Sequence, residues 1–371
     1  MLQQHKNIYW KFLFAALFCT SLILSIHEML PSAKSMPEDA AIEVAAGANG
    51  KYIKWVDFTV SYDALCTAYE LDVNSHETEH PLHWVELLAY TAAKTGGKFD
   101  KKSLALMTKL ANQLADGSTT IQECTKDMEY YPYYHEAYDA VLGGLVGEYE
   151  IEQDTGDGSR TWVPCYCLKA FSPIARGFNY SDYDDFGSSR SYGYKRPHLG
   201  HDMMGQVGTP IIAIESGYVE SLGWNQYGGW RIGIRSFDKK RYYYYAHLRQ
   251  NFPYALDLKE GSVVTAGDVI GYMGHTGYST KENVNNIETV HLHWGLQLIF
   301  DESQKEGNNE IWVDCYPLTR FLYKNRSLTQ KNTETKEWFR TFQMKDPEVL
   351  SYLKSNPDAP VLTTVSGNSL S

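Results

Sequence analysis

The run VHLHWGLQLIF, Val290 to Phe300, decides the fold. Alternate side chains of a strand share a face. His291, His293, Gly295 and Gln297 therefore point one way, and Val290, Leu292, Trp294, Leu296 and Leu298 the other. The second set is large and apolar and belongs against a core. The first lays two imidazoles roughly 6–7 Å apart along one polar face, from the rise per residue. One ring can then bind a metal while the other reaches a water on it. Taken alone, His-x-His fits two incidental surface histidines equally well.

Similar short runs lie before it: PIIAI (210–214), GYVESLG (217–223), RIGIRS (231–236), RYYYYAH (241–247) and SVVTAGDVIGYMG (262–274). Turn residues divide them, the signature of a compact antiparallel β domain. Alternation in the tyrosine run puts one of the pairs Tyr243/Tyr245 and Tyr242/Tyr244 in the core and exposes the other. Upstream the period changes. WVELLAYTAAK (84–94) and KSLALMTKLANQLA (102–115) carry apolar residues at helical spacing, with Gly96-Gly97 between them, and Glu136 to Tyr149 reads as a further helix. The chain is thus expected to be α+β and multidomain. A helical accessory domain (51–150), without a chemical motif, is followed by a Tyr/Gly/Asp-rich connector (151–190). An all-β antiparallel domain (191–325) and a polar C-terminal extension (326–371), with a helix near 346–354, complete it.

The N-terminus carries the apolar run FLFAALFCTSLILSI (12–26), preceded by Lys6 and Lys11. Residues 1–30 read as a transmembrane anchor or signal segment, with a linker over 31–50. No small-residue cleavage site follows directly, which favours an uncleaved single-pass anchor; secretion after cleavage is the alternative. Both place the β domain outside the cytoplasm.

Across 371 residues, Lys plus Arg number 34 and Asp plus Glu 45, a formal charge of −11, which excludes a nucleic-acid binder relying on bulk basic charge. The 43% hydrophobic content argues against disorder. Six cysteines are too few for a disulfide scaffold in so long a chain. Cys165 and Cys167 lack a second Cys/His pair at zinc-site spacing and read as structural. With 28 Tyr, the chain suits wet surfaces that grip sugars or peptides. Tyr180, Tyr183, Tyr192 and Tyr194 are candidates to rim a groove.

The second chemical cluster is RPHLGHD (196–202). Pro197 and Gly200 make it a turn that presents polar side chains. His198 and Asp202, joined by one more histidine, would give three protein ligands and leave zinc a fourth position for water. His201 competes with His198 for that role. The third is Tyr245-Ala246-His247-Leu248, where a strand ends on a histidine.

In this order the motifs resemble the M23 family of lysostaphin/LytM-type zinc metallopeptidases, which cut peptidoglycan cross-bridges and stem peptides. They are H-x-G-x-D (198–202), G-T-P (208–210), A-x-x-x-G-x-V (213–219) and Y-A-H-L (245–248). G-x-x-V-x-x-G-D-x-I-G (261–271), T-G (276–277) and H-L-H (291–293) follow. The resemblance covers about residues 190–320. It implies a lysostaphin-like β domain and one Zn2+ per chain held by His198, Asp202 and His293. It also implies catalytic work by His247 and His291, and peptidoglycan as the partner. Two departures stand out: a longer segment, Tyr278 to Val290, between T-G and H-L-H, and Trp294 where the family usually has Phe. The longer loop is expected at the site, where it would reshape or cover the groove. His275 is a position the family does not use and reads as a surface residue. A catalytically silent M23-fold envelope protein is the alternative function, and residues 51–150 could then meet an envelope partner. A biotinyl/lipoyl-type carrier would need a Lys at a hairpin tip, which 262–274 lacks.

Overall fold

The computed structural model describes residues 52–362 except 193, 306 and 308. The apolar N-terminal run lies outside the described residues. No described helix is long and apolar enough to cross a membrane.

Helical periodicity yields α1 (Tyr62–Ser75), α2 (Trp84–Thr95), α3 (Lys101–Ala115), the short α4 (Ile121–Thr125) and α5 (Tyr131–Leu142). Their starts are capped by local side chains: Ser61 accepts from the Ala64 amide, and Asp100 from Lys102 and Ser103. The helix expected over 136–149 stops at Leu142, before Gly143-Gly144. Val146–Asp154 and Arg160–Leu168 then form a hairpin of nine cross-strand pairs, where the end of a helix and a connector were expected. Later helices are α6 (Tyr316–Leu322) and α7 (Pro347–Ser355), the second near its expected place.

The main sheet holds β1 (Ser181–Asp182), β2 (His201–Met204), β3 (Gly217–Asn225), β4 (Gly229–Ser236), β5 (Arg241–Ala246), β6 (Val263–Val264), β7 (His291–Leu298) and β8 (Ile311–Val313). Its order is β6-β3-β4-β5-β7-β2-β1, all antiparallel. One edge of β7 follows β5; the other pairs with β2 over its first half and with β8 over its second.

Alternation along β7 gives the two faces expected. Leu292, Trp294, Leu296 and Leu298 are fully buried, with Tyr243, Tyr245, Ile232 and Ile234 beside them on the same face. Polar tips in this core find partners. The Trp294 indole donates to the Thr319 hydroxyl on α6 (3.1 Å), and the Tyr243 hydroxyl donates to Glu215 (2.7 Å). Tyr242 and Tyr244 face the other way but are not bare: Tyr242 is 6% exposed and Tyr244 half-buried.

The described helices and sheet belong to one compact unit. Arg241 explains much of the joint. Buried, it pairs with Glu215 (2.7 Å) and Asp238 (2.8 Å) and donates to the Ala140 carbonyl in the last turn of α5 (3.0 Å). A guanidinium there satisfies carbonyls that the helix leaves open and complements its dipole. Phe321 of α6 packs edge-on to Tyr69 of α1 and against Trp84 of α2.

Candidate metal centre and active site

Sheet register builds the site. Asp202 on β2 pairs with His293 on β7, and His293 with Ala246 at the end of β5. His198 reaches the same point from the turn before β2. Its Nε2 lies 3.1 Å from Asp202 Oδ1 and 3.1 Å from His293 Nδ1, and the last two atoms are 2.8 Å apart. Two ring nitrogens and a carboxylate oxygen at such separations repel one another unless a proton or a cation lies among them. Nitrogen and oxygen donors are what zinc takes, so His198, Asp202 and His293 fit a metal ion. Gly200 is needed here, because a Cβ at that position would sit 2.5 Å from the His293 ring.

Neighbours fix the ligand rings. Asp185 Oδ1 lies 3.1 Å from His198 Nδ1, and a carboxylate in that place holds a proton on Nδ1, so that a metal would take Nε2. Arg190 bridges Asp185 and Asp202. Burial alone would lower the His198 pKa, but the hydrogen bond and charge of Asp202, with Asp185, raise it. For Asp202, burial opposes ionisation, yet hydrogen bonds from His198 and His293 hold its carboxyl far below the usual range. His201 is not a ligand. It is buried on the opposite face of β2 and bonds Asp182 (2.9 Å).

Two further histidines face the triad. His291 donates from Nδ1 to the Thr289 carbonyl (2.8 Å), and its Nε2 lies 3.7 Å from Asp202 Oδ1. His247 donates from Nδ1 to the Thr276 carbonyl (3.0 Å), with its ring centre 4.7 Å from that of His291. A carbonyl only accepts, so both rings carry their lone pair on Nε2. His247 has φ +61°, a left-handed backbone that a non-glycine residue adopts at a cost. Burial, then the flanking His291 and His293, push its pKa well below the ordinary value.

These groups share a groove of about 420 Å3. Its aromatic lining is Tyr227, Tyr242, Tyr244, Tyr278 and Trp312. Tyr180 instead packs on Tyr323 and Arg326, and Tyr183 stands exposed at 59%. The side chains of Tyr192 and Tyr194 lie outside the described residues. From the long 278–290 segment only Tyr278 lines the groove. Asn283 ties the segment to the Trp230 indole (2.9 Å) and the Asn251 amide (2.8 Å). His275 is half-buried and bonded to the Ile287 carbonyl. All five described cysteines are free, and Cys165 and Cys167 lie beside Tyr149. Arg190 and Asp185 carried no sequence signal, since they meet His198 from a stretch without periodicity.

Residues 196–306, which contain all five of these site residues, match the model of peptidase family M23. The chain carries an M23 peptidase domain. The L-Ala–D-Glu endopeptidase of Bacillus subtilis (strain 168) is 35% identical to it over 148 residues, which is 40% of this chain and 42% of that protein. Lysostaphin of Staphylococcus simulans is 38% identical over 89 residues, 24% of this chain and 17% of its own length. The solved catalytic domain of the antimicrobial peptidase lysostaphin from Staphylococcus simulans is 30% identical. That match covers 38% of this chain and 92% of the solved one, at a TM-score of 0.30. The chain thus spans less than half the length of either curated relative.

Proposed function

We propose that this chain is a zinc-dependent endopeptidase that hydrolyses peptide bonds of bacterial peptidoglycan, in a cross-bridge or a stem peptide. One observation carries the reading: His198 Nε2, Asp202 Oδ1 and His293 Nδ1 converge beside two histidines whose acceptor nitrogens open on the same groove. His198, Asp202 and His293 would hold the ion. Zinc bound there supplies a water of lowered pKa and polarises a scissile carbonyl.

The protein's own groups divide the proton work. His291 presents Nε2 as the general base, and the Thr289 carbonyl keeps it in the accepting tautomer. His247 is neutral in its buried place, so it can donate only after gaining a proton. Its lowered pKa would then make it a ready donor to a leaving amine. Asp185 and Arg190 orient His198 and Asp202. The endopeptidase named among the relatives supports the reaction class. The M23 match supports peptidoglycan as the substrate, and the 12–26 apolar run supports a membrane-held, extracytoplasmic placement.

The test is zinc content and peptidoglycan digestion by the full-length chain, wild type beside His291→Ala. One zinc per chain in both, with new free amines only from the wild type, supports the reading. Zinc in both without cleavage by the wild type would favour a silent M23-fold protein.

A further inference from the structure

We infer that the groove contains a carboxylate-binding subsite formed by Arg231 and Arg196, and that the preferred substrate is a peptide with a free side-chain or α-carboxylate within about two residues of the cleaved bond. This rests on the peptidase reading above for the word substrate, but not for the site itself.

The inference starts from charge pairing. This chain has an excess of acidic groups, and two of the groove's lining cations, Arg190 and Lys305, are paired with acids, as are the buried arginines Arg235 and Arg241 elsewhere in the sheet. Arg190 pairs with Asp185 and Asp202, Arg235 with Glu220 and Glu302, Arg241 with Glu215 and Asp238, and Lys305 with Glu220. Arg231 and Arg196 are different. Among the described residues, Arg231 meets the hydroxyls of Ser221 (2.9 Å) and Tyr242, and its Nε is buried without a hydrogen-bond partner. Arg196 donates to the Tyr278 hydroxyl (3.1 Å) and lies over the rings of Tyr227 and Tyr278. Neither meets a carboxylate among the described residues. Both line the groove that holds His198, Asp202 and His293.

Register sets the distance. Tyr245 pairs with Ile232, so the next residue along each strand places Arg231 beside Ala246. Ala246 pairs with His293, and His293 with Asp202. One row across the sheet therefore reads Asp202, His293, Ala246, Arg231, with Ala246 as the one position between the metal-ligand pair and Arg231. Two strand spacings separate Arg231 from His293, about 10 Å between backbones. An extended peptide covers that span in two to three residues. Arg196 reaches the groove from the other wall, on the hairpin of Ser189–Tyr192 and Tyr194–Pro197, and the Tyr278 ring it touches is 6.1 Å from that of His247. A guanidinium recognises a carboxylate through paired N–H donors, which an amide cannot match. An unpartnered buried Nε–H is a donor held ready for such an acceptor.

The test compares two peptides on the full-length, zinc-loaded chain: a wall peptide with one free glutamyl carboxylate, and the same peptide with that group as a carboxamide. The wild type should prefer the acid by roughly tenfold or more in kcat/KM, the order expected of charge-assisted hydrogen bonds. In Arg231→Gln and in Arg196→Gln the acid/amide ratio should fall toward one, while Arg231→Lys retains part of the preference. Equal handling of both peptides by the wild type, or a full preference in both Gln variants, would overturn the inference. Direct binding by fluorescence polarisation separates it from the peptidase reading. If neither peptide is cut but the acid binds roughly tenfold tighter, and Arg231→Gln removes the difference, the carboxylate site stands and the peptidase reading falls. Equal binding removes the site whatever the chain cleaves.

Discussion

Asp202→Asn is the sharpest test of the metal centre. One oxygen of this side chain lies 2.8 Å from His293, 3.1 Å from His198 and 3.7 Å from His291, and the other 3.4 Å from Arg190. A carboxamide keeps the shape but removes the charge that makes the oxygen a ligand. A metal present at a hundredfold its dissociation constant adds about 2.7 kcal/mol to folded-state stability. Spread over the compact unit from Gly50 to Ser371, at the usual unfolding entropy per residue, that is a Tm rise of about 4 °C. In Asp202→Asn the rise should fall below about 1 °C. The metal-free variant should also melt about 2–4 °C lower than metal-free wild type, because hydrogen bonds to a charged group, worth about 1.5–3 kcal/mol each, are weakened. The assay is thermal unfolding with chelator and with excess zinc, alongside bound zinc by mass spectrometry. His201→Gln is the control, since His201 belongs to the same RPHLGHD stretch but bonds Asp182 on the far face; it should keep the full rise. A 4 °C zinc shift retained by Asp202→Asn would refute the triad as the metal site.

Three other outcomes follow from the same geometry. His291→Ala and His247→Ala should each keep about one zinc per chain yet cut peptidoglycan about 10²–10³-fold more slowly, measured as release of free amines. Gly295→Ala should block the groove and destabilise the fold by about 1–3 kcal/mol in urea, because its Cβ would lie 2.8 Å from the Trp312 ring and 3.0 Å from the Leu199 carbonyl. Burial works against the Lys169 charge, but Asp346 and Glu348 outweigh it and raise the pKa above 10.5. Folded Lys169 then holds its proton where the unfolded chain releases it, so its contribution is complete below pH 10.5 and lost as pH rises through the folded value. Wild type should accordingly lose more Tm than Lys169→Met between pH 10 and 12.

What the sequence disclosed and what it concealed divide along one line: whether neighbours in space are neighbours in the chain. The period of two along 290–300 assigned each face of β7 correctly, because a strand's alternation is local. The chemistry of H-x-x-x-D and H-L-H was legible because each motif places its own residues. His201 stayed ambiguous for the same reason. Which of two histidines in RPHLGHD faces the metal depends on where β2 begins, and its pairing from His201 to Met204 turns His201 toward Asp182. The hairpin over Val146–Asp154 and Arg160–Leu168 was hidden by polar and Gly-rich composition, and its nine pairs with each other supply what the local pattern lacked.

The arginines show where local reading ends. Arg190, Arg231, Arg235 and Arg241 are alike in the sequence, each a cation near a strand. Only register distinguishes them. Arg235 meets Glu220 because β3 lies beside β4, and Arg241 meets the end of α5 because the helices pack on the sheet. Arg231 is left without an acid because the next places along its row are Ala246 and His293. Strand pairing puts a small side chain there, and an opposite charge has no position to occupy. A site that binds a charged substrate must leave its own charge unpaired until the substrate arrives. Where the groove's other cations, Arg190 and Lys305, are paired with acids, the unmatched guanidiniums of Arg231 and Arg196 are where such a substrate would be held.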